Sequence, residues 1–145
     1  MPYEFKITRR VEFVETDMAG IVHFANFFRY MEAAEHAFFR SLGLSIHQEV
    51  DGKTIGWPRV DASCQFKRPV RFEDEIEIHL VVRAVKARSI LYESIFSKLE
   101  GDQKVEVARG TCTSVCVVLD ENGSGMTSIE IPENFTRMIE AAPSE

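Results

Sequence analysis

Residues 15–43 read ETDMAGIVHFANFFRYMEAAEHAFFRSLG, and the fold follows from this stretch. Its first six residues form a loop, with Gly20 supplying an awkward backbone turn. From about Ala25 to Leu42 the pattern turns helical. Asn26 is a good N-cap residue and Gly43 a good C-terminal stop. The segment holds Phe27, Phe28, Tyr30, Met31, Ala33, Ala34, Ala37, Phe38, Phe39 and Leu42. Apolar groups therefore cover more than one stripe, as in a helix wrapped by other structure. At ~1.5 Å per residue it would be about 25 Å long, enough to cross a sheet.

Upstream, residues 4–14 alternate through Phe5, Ile7, Val11 and Phe13, a strand with an irregularity near Arg9–Arg10. Downstream, residues 43–57 are irregular, with Gly52, Gly56 and Trp57. From Pro58 the pattern is β, with strands near 59–68, 75–85, 88–99 and 104–119. The turns fall at Arg71–Asp74, Lys86–Ala87 and Glu100–Gln103. The last strand places Ala108, Gly110, Cys112, Ser114 and Cys116 on one face, small enough for a helix to lie close. Residues 121–128 read as a turn region, and 132–142 as a short closing helix with Pro132 in its first turn. Strands joined by short turns pair antiparallel, and one long helix is available to cover them. The expectation is an α+β single domain, 1–145, in which a curved five-stranded antiparallel sheet wraps around one long central helix.

The 145 residues are 45% hydrophobic and 28% charged, which suits one globular domain. A net charge of −6 argues against a nucleic-acid binder, which needs a basic face. Met1–Arg10 has no apolar core of a signal peptide, and no window approaches a membrane span. Cys112 and Cys116, if on one strand, sit about 13 Å apart, too far for a disulfide. Together with Cys64 they read as reduced thiols of a cytoplasmic protein.

The run Asp17-Met18-Ala19-Gly20-Ile21-Val22-His23-Phe24-Ala25-Asn26 resembles the hot-dog thioesterases of the 4-hydroxybenzoyl-CoA thioesterase and YbgC-like group. The family pattern is Asp, two residues, Gly, a β-branched pair, two mostly aromatic or His positions, a small residue, then Asn or Ser. Gly56-Trp57-Pro58-Arg59-Val60 and the run Phe66–Glu77 are similar to it as well, so the likeness covers roughly residues 8–120. The resemblance implies an acyl-CoA thioesterase and a homodimer whose sheets join edge to edge, often paired into a homotetramer. It implies active sites between subunits and neither metal nor redox cofactor, coenzyme A being part of the substrate.

Thioester hydrolysis needs a nucleophile or a base for water, and positive electrostatics at the carbonyl oxygen. Asp17 can supply the first and the start of the helix the second, through its free N–H groups and dipole. Gly20 lets the chain fold back so that the carboxylate faces the helix mouth. By resemblance Asp17 is the nucleophile or base, and the Phe24 backbone N–H polarises the carbonyl. His23 has acid/base character, but the YbgC-like branch carries its His one place later, at the position of Phe24. Asn26 is a cap, a loop brace or a substrate contact. Met18 and Ala19 shape the pocket wall, while Phe27, Phe28 and Phe38 read as core.

Coenzyme A is anionic, so an acidic protein needs local cations to hold it. Lys86, Arg88 and Ser89 form a candidate at a hairpin turn, where the family carries basic residues and Ser. Lys67-Arg68-Pro69-Val70-Arg71 is a second basic patch of lesser weight. Trp57 and Pro58 either line the acyl end of the pocket or anchor an irregular loop. A non-catalytic acyl-thioester or acyl-carrier-protein binding module is the competing reading; it would keep the pocket without needing Asp17.

Overall fold

The computed structural model describes residues 2–144. Five antiparallel strands form the main sheet: β1 (Glu4–Arg10), β4 (Arg59–Phe66), β5 (Glu75–Val85), β6 (Ser89–Glu100) and β7 (Gln103–Val115). Their order is β1-β5-β6-β7-β4, so β1 and β4 are the edges. Across its inner face lies α1 (Ala25–Ser41). The helix buries Phe27, Tyr30, Met31, Ala34 and Phe38, which repeat at helical spacing, against Ile76, Ile78, Leu80, Tyr92, Phe96 and Ala108 of the sheet. It stops as Gly43 takes φ +74, where a Cβ would be strained.

The face of β7 with small residues does what its pattern suggests. A Cβ on Gly110 would sit 2.1 Å from Met31 Cε and 2.6 Å from the Ser63 carbonyl oxygen. Only a bare α-carbon lets the helix approach this strand so closely.

Several expectations need correction. The first strand does not run to residue 14. Val11 leaves the ladder, its N–H donating to the Asp74 carbonyl oxygen, and a 3-10 turn follows at Phe13–Glu15. The helix, though wrapped by the sheet, keeps a solvent face with Arg29, Glu32 and Arg40 exposed. The strand expected at 104–119 breaks at Cys116, whose N–H donates to the Arg88 carbonyl oxygen. Beyond that break the chain joins a second, four-stranded sheet in the order β2-β3-β8-β9. Its strands are β2 (Gln48–Val50), β3 (Lys53–Gly56), β8 (Val117–Leu119) and β9 (Met126–Ser128). Three-to-four-residue strands leave too few alternations to register as a period. The closing helix shortens to α2 (Glu133–Thr136), which buries Phe135 against Phe39 and Trp57.

One charged pair lies inside. Glu35 of α1 has only 3% of its side chain exposed, and its carboxylate meets the Arg59 guanidinium at 2.6 and 3.0 Å. Arg59 also donates to the Ser114 hydroxyl. Burial raises the Glu35 carboxyl above its ordinary value, and the Arg59 charge works against that rise.

Candidate active site

The 3-10 turn and the start of α1 are tied together through Glu15. Its carboxylate accepts the Glu12 N–H at 2.8 Å and Arg9 Nη2 at 2.7 Å. Its carbonyl oxygen accepts the His23 N–H at 2.9 Å and Asn26 Nδ2 at 2.8 Å. Asn26 thus does not cap the helix. It lies buried in the first turn and braces the loop, while Phe24 occupies the cap position with no side-chain hydrogen bond. Among the described residues the N–H groups of Phe24 and Ala25 donate to no acceptor, so the mouth of α1 presents free donors.

Between these anchors residues 16–22 form a tight reversal. Thr16 bridges Val22, the Asp17 N–H donates to the Ile21 carbonyl oxygen at 2.9 Å, and the Val22 N–H donates to the Val70 carbonyl oxygen at 2.7 Å. Gly20 closes the turn at φ +80, a conformation costly for any residue with a Cβ. This fold-back aims the Ala19 and Ile21 N–H groups at Asp17 Oδ1, at 2.9 and 3.4 Å. Oδ1 is held by the backbone, and no described residue hydrogen-bonds to Oδ2.

Asp17 stands between two recesses. One, of about 440 Å³, is lined by Asp17, Phe24, Phe27, Phe66, Lys67, Arg68, Pro69 and Val70, with Ile21 and Val22 behind. Its aromatic walls interlock: Phe24 and Phe27 both meet Phe66 edge-on, at 6.4 and 5.3 Å between ring centroids. The other recess, of about 680 Å³, brings Asp17 together with Met18, His23, Asn26 and Arg29. The His23 and Phe24 rings lie 4.8 Å apart at the helix mouth. Asp17 is exposed, and so are apolar side chains around it. Phe13 is 74%, Val14 83% and Phe24 59% exposed.

The candidate coenzyme A cations fall out differently from their expected ranking. Lys67 and Arg68, the patch given lesser weight, line the recess that holds Asp17. Lys86, Arg88 and Ser89 lie at the opposite end of the sheet, where β5 turns into β6. Eleven residues of β5 separate that turn from the Asp17 end, about 30 Å of extended chain. There Arg88 Nη1 donates to the Ser128 carbonyl oxygen and hydroxyl, both at 3.1 Å. Trp57 is also at the far end, buried against Phe39 and Phe135 with 7% exposed, and so acts as a core anchor. Pro58, half-buried beside it, accepts the Val115 N–H. Within the chain, none of Trp57, Pro58, Lys86, Arg88 and Ser89 comes to Asp17.

Phe66 went unranked as a site residue and Arg68 was ranked low, because only the pairing of β4 with β7 carries the end of β4 to the helix mouth. The thiols offer no competing nucleophile. Burial pushes Cys64 and Cys116 up to about 11 and raises Cys112 as well.

Residues 11–139 match a family described as the thioesterase-like superfamily. A protein of Aquifex aeolicus (strain VF5), named provisionally as an esterase, is 30% identical over 96% of this chain and 98% of its own length. The 4-hydroxybenzoyl-CoA thioesterase of Pseudomonas sp. (strain CBS-3) is 23% identical over 95% of this chain and 99% of its own. The solved structure of a gentisyl-coenzyme A thioesterase superposes with a TM-score of 0.76 at 32% identity, covering 91% of this chain and 99% of that one.

Proposed function

The chain belongs to the thioesterase-like superfamily, and from that premise we propose that it hydrolyses an acyl-CoA to the free acid and coenzyme A, with Asp17 as nucleophile or general base. The hot-dog arrangement of sheet and helix is the frame for this chemistry. One observation carries the proposal: Asp17 and Phe24, whose backbone N–H has no partner among the described residues at the start of the helix, line one aromatic recess.

The thioester carbonyl enters with its oxygen toward those donors, where the helix dipole stabilises the charge it gains. Asp17 Oδ2 then either attacks the carbonyl carbon, expelling the coenzyme A thiolate and leaving a mixed anhydride that water hydrolyses to the free acid, or takes a proton from an attacking water as the thiolate leaves. Oδ1 stays anchored to the backbone, so the reactive oxygen is aimed without a second side chain. His23 lines the opposite side of Asp17 and is a secondary candidate for proton transfer. The reaction calls for no metal or redox cofactor.

Two observations support an aromatic acyl group, with a short-to-medium aliphatic chain as the wider class. The recess walls are Phe24, Phe27 and Phe66, and relatives are named for 4-hydroxybenzoyl-, gentisyl- and 1,4-dihydroxy-2-naphthoyl-CoA. We further propose a cytoplasmic homodimer or homotetramer. A second subunit would cover Phe13, Val14 and Phe24 and pair the open β4 edge, where Val60 is 63% exposed. In that assembly Lys86, Arg88 and Ser89 of one subunit would grip the coenzyme A phosphates of a site in another.

Asp17→Asn is the decisive variant. Asparagine keeps an oxygen for the Ala19 and Ile21 N–H groups, so the loop should persist while the charge is lost. Thiol release from a panel of acyl-CoA esters should fall at least ~10²-fold with unchanged circular dichroism. Wild-type turnover in this variant would remove Asp17 from the reaction. Binding of acyl-CoA without thiol release, equal in both proteins, would point to a binding module instead.

A further inference from the structure

The recess beside Asp17 contains two cations in very different states. Lys67 is neutralised: its ammonium pairs with Glu106, which also takes Arg109 at 2.6 Å. Arg68 has neither an ion pair nor a hydrogen bond to its guanidinium among the described residues, although Asp17 lines the same recess. Its base is held firmly. The N–H groups of Lys67 and Arg68 both donate to the Val107 carbonyl oxygen, at 2.8 and 3.1 Å, and Pro69 restricts the Arg68 backbone to extended conformations. An exposed guanidinium without a partner among the described residues, on a fixed backbone at the rim of an aromatic slot, is placed to take an anionic oxygen.

We propose that Arg68 recognises a carboxylate on the acyl group, so that the preferred substrate is an aromatic acyl-CoA bearing a second acidic function. This rests on the hydrolase reading above and narrows it. Length decides against the coenzyme A phosphates as the group Arg68 holds. A recess of about 440 Å³ is roughly 9 Å across if rounded. The pantetheine arm puts about 13 bonds between sulfur and the nearest phosphorus, some 16 Å when extended at the ~3.6 Å per three bonds of a peptide chain. With the thioester carbon at Asp17, the phosphates lie well beyond this recess. A ring substituent opposite the carbonyl lies within it. The rings of Phe24, Phe27 and Phe66 then hold the aromatic body edge-on while Arg68 takes its far end.

The test compares 4-carboxybenzoyl-CoA with benzoyl-CoA in the wild type, Arg68→Gln and Arg68→Lys. The wild type should favour the carboxylated ester at least ~10-fold in kcat/KM. Arg68→Gln should bring the ratio near unity through KM, and Arg68→Lys should restore part of it. A ratio unchanged in Arg68→Gln overturns the assignment. So does an equal rise of KM for both esters that vanishes with the matching pantetheine thioesters, since Arg68 would then hold phosphate. Turnover of other acyl-CoA esters but of neither of these two also overturns the assignment, whereas thiol release from no acyl-CoA at all makes the hydrolase reading fall on its own. Titration of terephthalate and benzoate then decides Arg68: tighter terephthalate binding, lost in Arg68→Gln, upholds it, and equal binding sinks it.

Discussion

Replacing Arg59 with methionine should destabilise the protein far more at pH 8 than at pH 5. Methionine keeps much of the apolar stem and deletes the charge. Glu35, with 3% of its side chain exposed, is then left as a buried carboxylate without its cation. Breaking such a pair costs about 3–5 kcal/mol; with Arg59 itself 28% exposed, the lower end, about 3 kcal/mol, applies. For a domain of this size that corresponds to a Tm loss of roughly 10 °C. The sign of the pH effect follows from the direction of the shift. Burial already raises the Glu35 carboxyl in the folded state, and Arg59 opposes the rise. A carboxyl raised on folding favours the fold at low pH and loses that contribution as pH climbs through its folded value. Without Arg59 the folded value climbs further, so the variant should recover toward wild-type stability as pH falls to 5. Differential scanning calorimetry across pH 5–8 measures this. Glu35→Gln combined with Arg59→Met should flatten the pH dependence. A Tm deficit independent of pH in the single variant would show that Glu35 does not carry the cost as a buried charge.

Gly110→Ala should lower stability by about 1–3 kcal/mol, because its Cβ would meet Met31 Cε and the Ser63 carbonyl oxygen; urea denaturation reads this directly. Asn26→Ala should reduce kcat more than it raises KM, since the lost bond to the Glu15 carbonyl oxygen frees the helix mouth relative to Asp17; steady-state kinetics separate the two. Arg88→Ala should raise KM for coenzyme A esters. Co-expression with Asp17→Asn should then return part of the activity, because one hybrid site of the mixed dimer keeps both wild-type residues.

The helix, the five long strands and the Asp17 loop were legible because each rests on a periodic pattern or a turn residue with a mechanism. Ala25–Leu42 became Ala25–Ser41, and 75–85 came out unchanged. The small-residue face of β7 was legible for the same reason. The second sheet was not, since its strands owe their existence to partners far along the chain, as Ile55 does to Val118. The site divides similarly. Asp17, Gly20 and Phe24 are neighbours in sequence and stay neighbours in space. Arg68 reaches them only through the β4–β7 pairing, which no local pattern reveals. Asn26 has the chemistry of a cap, but a backbone carbonyl eleven residues upstream claims its amide.

Gly110 has a consequence for how such an enzyme can diverge. Met31 rests where a side chain at 110 would be, seven residues and about 10 Å along the axis from Phe24. The direction of the amides at 24 and 25 is thereby inherited from a hydrogen atom on a distant strand. A lineage adapting to a new ester would have to leave that position bare and spend its variation on Phe24, Phe66 and Arg68, where a change of shape leaves the axis undisturbed.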